Sequence, residues 1–179
     1  MRELEALRHL AKIANEGLAA RHTVGLAASI IRRTTGAAEA IVVYGQDQDL
    51  LVCSDPDEST EFTPIALWVV QRQITELGGP VAFNLKDHRV EDFVSAASAD
   101  QREFLALAIP TTESASELCI LRGVCERKAC ARLLRFMESA MPALTTILER
   151  FLNVDRGRRL ADKLSVLANS AQVLTQVRT

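Results

Sequence analysis

Aromatic side chains are scarce: the chain has one Trp, one Tyr and six Phe in 179 residues. That is too few rings for the stacking platforms that hold single-stranded RNA or DNA. Positive charge is not in excess either. The formal net charge is -2 at pH 7, which leaves out the strongly basic face of a polyanion-binding domain, so nucleic acid is not an expected partner. No stretch reaches the roughly twenty consecutive apolar residues that a bilayer span requires. The first residues, MRELEALRHLAKIANEG, are charged and amphipathic where a secretory leader would be apolar. The chain therefore reads as cytoplasmic, with no membrane partner. In a reducing compartment the four cysteines, Cys53, Cys119, Cys125 and Cys130, read as free thiols. They include no C-x-x-C pair, and the expectation is small buried apolar side chains with no metal site. Also missing are a Gly-x-Ser-x-Gly turn, a phosphate-cradling glycine loop and a paired-histidine motif, so no enzymatic activity is expected of this segment.

What is present is an ordinary globular composition, 48% hydrophobic and 25% charged, in a length that suits one domain with long helical attachments. Leu4, Leu7, Ala11, Ala14 and Leu18 recur at helical spacing, with Leu10 and Ile13 widening the stripe. A second helix follows on Val24, Ala27, Ala28 and Ile31, ending at Gly36. AEAIVVYGQDQDLLVCSD reads as a β-hairpin around a Gly/Asp reversal. Thr63 and Pro64 open a middle helix that the glycine pair 78–79 closes. PVAFNL is a short strand, and KDHRVEDFVSAASADQR is polar enough to be a connector with at most one short helix. FLALAIP and ELCILRG then form a second hairpin. From about Glu126 the pattern is helical to the end. Leu133, Leu134, Met137, Met141, Leu144, Leu148, Phe151 and Leu152 make one face, while Leu160, Leu164, Leu167, Ala171 and Leu174 make another, in alternating steps of four and three. The two are out of phase, which predicts a kink or break near Gly157, and Pro142 is expected to bend the helix as well. A seam that runs to the last residues implies a longer parent protein.

The order helix, helix, strand, strand, helix, strand, connector, strand, strand, long helix specifies an α+β fold. At this point the chain resembles the GAF domains of bacterial signalling proteins, from about Leu18 to Leu152. The likeness is carried by GGPVAFNLKDHRVEDF, with its small residue, Pro-Val pair, aspartate and terminal aromatic, and by FLALAIP, a strand ending in an apolar-Pro pair. The loop after it, TTESASELCIL, lacks the glycine usual there and is expected to be longer. The resemblance implies an antiparallel sheet of five or six strands, backed by the N- and C-terminal helices, with the second hairpin at its centre. It also implies a small-molecule pocket on the other face, under the middle helix and the connector, and terminal helices that pair two copies and run into an output domain. The corresponding divisions are residues 1–17 as an N-terminal helix, 18–152 as the sensor domain and 153–179 as a C-terminal signalling helix of coiled-coil type.

Alternation along FLALAI puts Leu105, Leu107 and Ile109 on one side and Phe104, Ala106 and Ala108 on the other. The alanine-bearing side has room, so Phe104, Ala106 and Ala108 are the expected pocket residues, closed by Trp68, His88 and Phe93. A filled core at the same place is the competing expectation. The expected dimer contacts are Leu4, Leu7, Leu160, Leu164, Leu167 and Leu174. The identity of any cofactor is left unknown, with haem and bilin not expected. His9 and His22 read as solvent-facing, leaving only His88 near the pocket, and neither VCE nor VCS has the histidine that follows the cysteine in bilin-bearing relatives. Asn84 and Lys86 lack the spacing used for cyclic nucleotides. The function expected is a sensor that dimerises and relays ligand binding or redox state. The alternatives are a ligand-free scaffold, or a thiol-based redox enzyme or switch using Cys53 or Cys119.

Overall fold

β-Branched and apolar residues in an unbroken run call for a strand covered on both faces, and EAIVVY is such a strand. All six residues of β1 (Glu39–Tyr44) are buried. In the computed structural model, which describes residues 2–16, 20–44, 51–56, 64–83, 90–92, 104–110, 117–123 and 130–177, β1 pairs antiparallel with β2 (Leu51–Asp55) on one side and with β6 (Leu118–Arg122) on the other. β6 pairs with β5 (Phe104–Ala108), β5 with β3 (Val81–Phe83), and β3 with β4 (Val90–Asp92). The result is a six-stranded antiparallel sheet in the order β2-β1-β6-β5-β3-β4, with the β5-β6 hairpin at its centre as expected.

α1 (Glu3–Asn15), α2 (Ala20–Thr35) and α4 (Cys130–Val177) cover one face, and α3 (Pro64–Leu77) covers part of the other. The helix-backed core joins Leu10 and Ile13 of α1, Val24, Ala28 and Ile31 of α2, and Met137, Leu144 and Leu148 of α4 to Val42, Leu105, Leu107, Cys119 and Leu121 of the sheet. α2 buries the four positions its spacing indicated, Val24, Ala27, Ala28 and Ile31. It ends where Gly36, at φ 72°, donates its N–H to Arg32 O at 2.9 Å, the left-handed cap that glycine adopts without a Cβ clash. Among the described residues, two charged pairs tie a helix to another element: Arg32 Nε with Asp55 Oδ2 at 2.8 Å, from α2 to β2, and Arg132 on α4 with Glu3 on α1.

Three expectations are corrected. In α1 the buried positions are Ala6, Leu10, Ile13 and Ala14, while Ala11 is exposed and Leu4 is 63% exposed. The buried stripe is rotated: small Ala6 packs into the helix-backed core, and the spacing of three and four that starts from Leu4 does not pass through it. The polar connector contains a strand, β4, paired through Val81↔Asp92 and Phe83↔Val90. An edge strand of three residues is held by backbone bonds, so its side chains, Val-Glu-Asp, need show no alternation. The last helix does not break at Gly157: α4 is one helix of 48 residues that also contains Pro142. Pro142 is exposed, and Thr146 Oγ1 donates to its carbonyl at 3.0 Å.

The end of β6 depends on a glycine. Gly123 has φ +75°, and a Cβ there would lie 3.0 Å from Ala38 Cβ, where Ala38 N–H also bonds to Arg122 O at 2.9 Å. Gly123→Ala is expected to lower unfolding stability by about 1–2 kcal/mol, the cost of a left-handed L-residue. Gly79→Ala, where no atom stands within 4 Å, should change it by less than about 1 kcal/mol. Urea titration of both variants tests the contrast.

Candidate functional site

Because side chains alternate along each strand, the face under α3 collects Ile41, Val43, Phe83, Phe104, Ala106 and Ile120. α3 closes on them with Leu67, Val70 and Ile74, spaced three and four apart. Phe83 and Phe104 are register partners on β3 and β5, and their rings stack with centroids 4.9 Å apart at 16°. Of the strand residues named from sequence, Phe104 and Ala106 are buried in this layer and Ala108 packs at its margin, half-buried. Leu105, Leu107 and Ile109 lie in the opposite core.

Trp68 is placed differently from Phe104. It is on α3 but 57% exposed, with the Arg72 guanidinium 5.6 Å from its ring centroid and Arg72 Nε bonded to Glu76 Oε1 at 2.7 Å. These three residues, four apart, form a ladder on the outer side of the helix. His88 and Phe93 lie outside the described residues. Sequence reasoning missed one charged pair on the α3 side. Glu39, only 1% exposed, receives Arg122 Nε at 3.2 Å, and alternation puts both on the side of Ile41 and Ile120. Alternation in AEAIVVY, which puts Glu39 in phase with Ile41 and Val43, was the available signal.

The sulfur chemistry is constrained by the sheet. Cys53 and Cys119 both face Val42, from β2 and from β6. They stand two strand spacings apart, about 10 Å, beyond the roughly 7 Å that a disulfide can span. Burial pushes the Cys119 thiol up to about 12. Tyr44, two residues along β1 from Val42, has its phenol raised first by burial and then by Cys53, with Arg21 pulling the other way. No group of three or more His, Cys, Asp or Glu able to hold a metal occurs among the described residues. Among them, too, no helix is long and apolar enough to cross a membrane.

The second candidate surface is α4. Its first part grips the core through Leu133, Phe136, Met137, Ala140, Leu144, Ile147 and Leu148. From Asn153 to Ser170 every described side chain is exposed, including Leu160 at 58%, Leu164 at 58% and Leu167 at 64%. Leu164 comes about seven and a half turns after Met137 at 3.6 residues per turn, on the opposite side of a straight helix. The apolar stripe therefore changes sides. Leu174 belongs to the same helix. Of the N-terminal pair, Leu4 is exposed, and Leu7 is partly buried in a groove of about 360 Å³ with Glu3, Arg132, Arg135, Phe136 and Ser139.

A sheet in this order, backed by the first, second and last helices and covered by one middle helix, is an architecture already known. The fold is that of a GAF domain. A crystal structure of the nlh2 GAF domain of A. aeolicus in an inactive state is similar at a TM-score of 0.58, with 9% sequence identity, over 82% of this chain and 95% of that one. A segment of a methyl-accepting chemotaxis protein aligns over 77% of this chain and 96% of its own length, at a TM-score of 0.47 and 12% identity. No family model and no curated protein matches the chain.

Cys119, in the helix-backed core on the other face of the sheet, supplies a test of the thiol assignment. A thiol whose folded value lies above its unfolded value adds stability below the unfolded value and loses it as pH rises toward the folded one. With the unfolded thiol near 8.5 and the folded one at about 12, that loss falls across the alkaline range. Cys119→Ala should be less stable than the parent at pH 7, and the gap should narrow between pH 8 and 11. Urea midpoints at each pH measure it, and a constant gap contradicts the assignment.

Proposed function

We propose that the chain is a regulatory sensor domain of a larger, cytoplasmic signalling protein. Residues 18–152 form the sensing unit, with 1–17 as a supporting helix and 153–179 as the signalling helix. Two copies pair along the exposed part of α4. A change on the α3 side of the sheet, brought about by a small-molecule ligand, passes along that helix to an output domain of the same polypeptide.

The observation that carries this reading is the switch of sides in α4. A helix that only completed the core would end, or turn polar, after Phe151. Instead Leu160, Leu164 and Leu167 repeat in steps of four and three on the side away from the sheet, the spacing of a two-helix seam. In phase with that stripe, the part of α4 on the domain presents Arg135, Pro142, Thr146 and Asn153, all exposed. This pattern supports contact between copies that begins beyond the domain. Leu4 and Leu7 then matter less to pairing than Leu160, Leu164 and Leu167.

A ligand-free pairing scaffold is the second reading. What favours it is how the layer beneath α3 is filled: Phe83 and Phe104 stack within it, and Ala106 beside them is fully buried. A thiol-based switch has less support, since Cys119 is buried with a raised pKa and lies out of disulfide reach of Cys53.

Pairing is tested by light scattering coupled to gel filtration. The parent chain should elute with the mass of two copies. Leu164→Glu should give the mass of one, while the stability of the sheet domain changes by less than about 0.5 kcal/mol, as for an exposed site. A parent chain that is monomeric at tens of micromolar concentration overturns the proposal.

A further inference from the structure

The point where α4 leaves the domain is held by two consecutive residues that grip two different elements. Arg150 Nη1 donates to Glu16 O at 2.8 Å and to Ala14 O at 3.2 Å. These carbonyls lie at the C-terminal end of α1, where the helix leaves acceptors without intrahelical partners and carries partial negative charge. A guanidinium there satisfies both the hydrogen bonds and the field. Phe151 packs its ring against Tyr44, with centroids 4.9 Å apart at 83°, an edge-to-face pair. Tyr44 is the last residue of β1 and is 1% exposed. From Asn153 onward the described side chains of α4 are all exposed.

We infer that Arg150 and Phe151 form a two-point joint that fixes the direction in which the free half of α4 leaves the domain. Two successive helix residues point about 100° apart around the axis, so the grips act in different directions. One contact alone would leave the helix free to swing about it. Two contacts, to α1 and to β1, determine both tilt and rotation. A displacement of the end of β1 reaches Phe151 through the Tyr44 ring, and a displacement of α1 reaches Arg150 through the Ala14 and Glu16 carbonyls. The use of this joint as a relay rests on the sensor reading above, but its mechanical role does not.

The test is an intrachain distance by pulsed electron resonance. Nitroxides are attached through p-acetylphenylalanine introduced at exposed Arg33 on α2 and at Val166 on α4, which avoids the four native cysteines. Labelled chains are diluted into excess unlabelled chain, so that only distances within one chain are read. The parent should give one narrow distribution. Arg150→Met, a change at an exposed position, should widen it, and Arg150→Met with Phe151→Leu should widen it further. Arg135→Met, which removes only an intrahelical bond to Ala131 O, should leave it narrow. A distribution unchanged in Arg150→Met, or widened equally by Arg135→Met, overturns the joint. So does a broad distribution in the parent. A narrow distribution in a parent chain that is monomeric by mass keeps the joint and removes the pairing proposal, so the two failures are distinguishable.

Discussion

Everything in this fold follows from having β1 and β6 side by side as interior strands of a sheet with apolar residues on both faces. Val42, Cys119 and Leu121 point one way and Ile41, Val43, Leu118 and Ile120 the other, and all are buried. Each such side chain is worth roughly 1.5–3 kcal/mol when moved out of water, so neither face can be left open. A single helix cannot cover a six-stranded sheet. Three helices share one face, where Ala6, Ala27, Ala28 and Ala140 are all fully buried. Small residues at these positions allow close helix approach, and the chain places both of its terminal helices there.

How much of this could be read from sequence depended on whether side chains or backbone held each element. Gly36, Gly78 and Pro64 punctuated α2 and α3 because each has a backbone reason to sit where it does. β1, β5 and β6 announced themselves by apolar runs, and alternation correctly separated Phe104 and Ala106 from Leu105 and Leu107. β4 was not legible, since its place in the sheet comes from main-chain bonds to β3. The break expected at Gly157 was inferred from a change in phase. A phase change can equally mean that one unbroken helix serves two partners on opposite sides, and periodicity alone does not distinguish these.

The candidate site was legible in its strands and less so in its charges. Trp68 on the middle helix was expected to close the pocket, yet Leu67, Val70 and Ile74 are the α3 residues that face the sheet, and Trp68 lies beside that stripe with Arg72 against its ring. Glu39 drew no notice, although a carboxylate at 1% exposure requires a partner to offset its desolvation, and Arg122 provides one at 3.2 Å. A rule that weighs a charged residue by the face it shares with its strand neighbours would have found it. Arg150 carried no signal at all, because its acceptors are carbonyls distant in sequence.

The size of the exposed seam bears on how such a module could be controlled. In a paired arrangement Leu160, Leu164 and Leu167 of two chains would each lose the exposed part of their surface, contributing on the order of 1 kcal/mol apiece. The total, roughly 6 kcal/mol, is comparable with the lower range of the association cost, about 4–15 kcal/mol. A seam of that strength does not hold two chains together irrespective of geometry. A pair stable at tens of micromolar concentration therefore needs the rest of α4 packed in register as well, so that a tilt carrying one leucine out of register is enough to change the population of pairs. That makes the direction in which α4 leaves the domain the controlling variable, and Arg150 and Phe151 are the residues that set it.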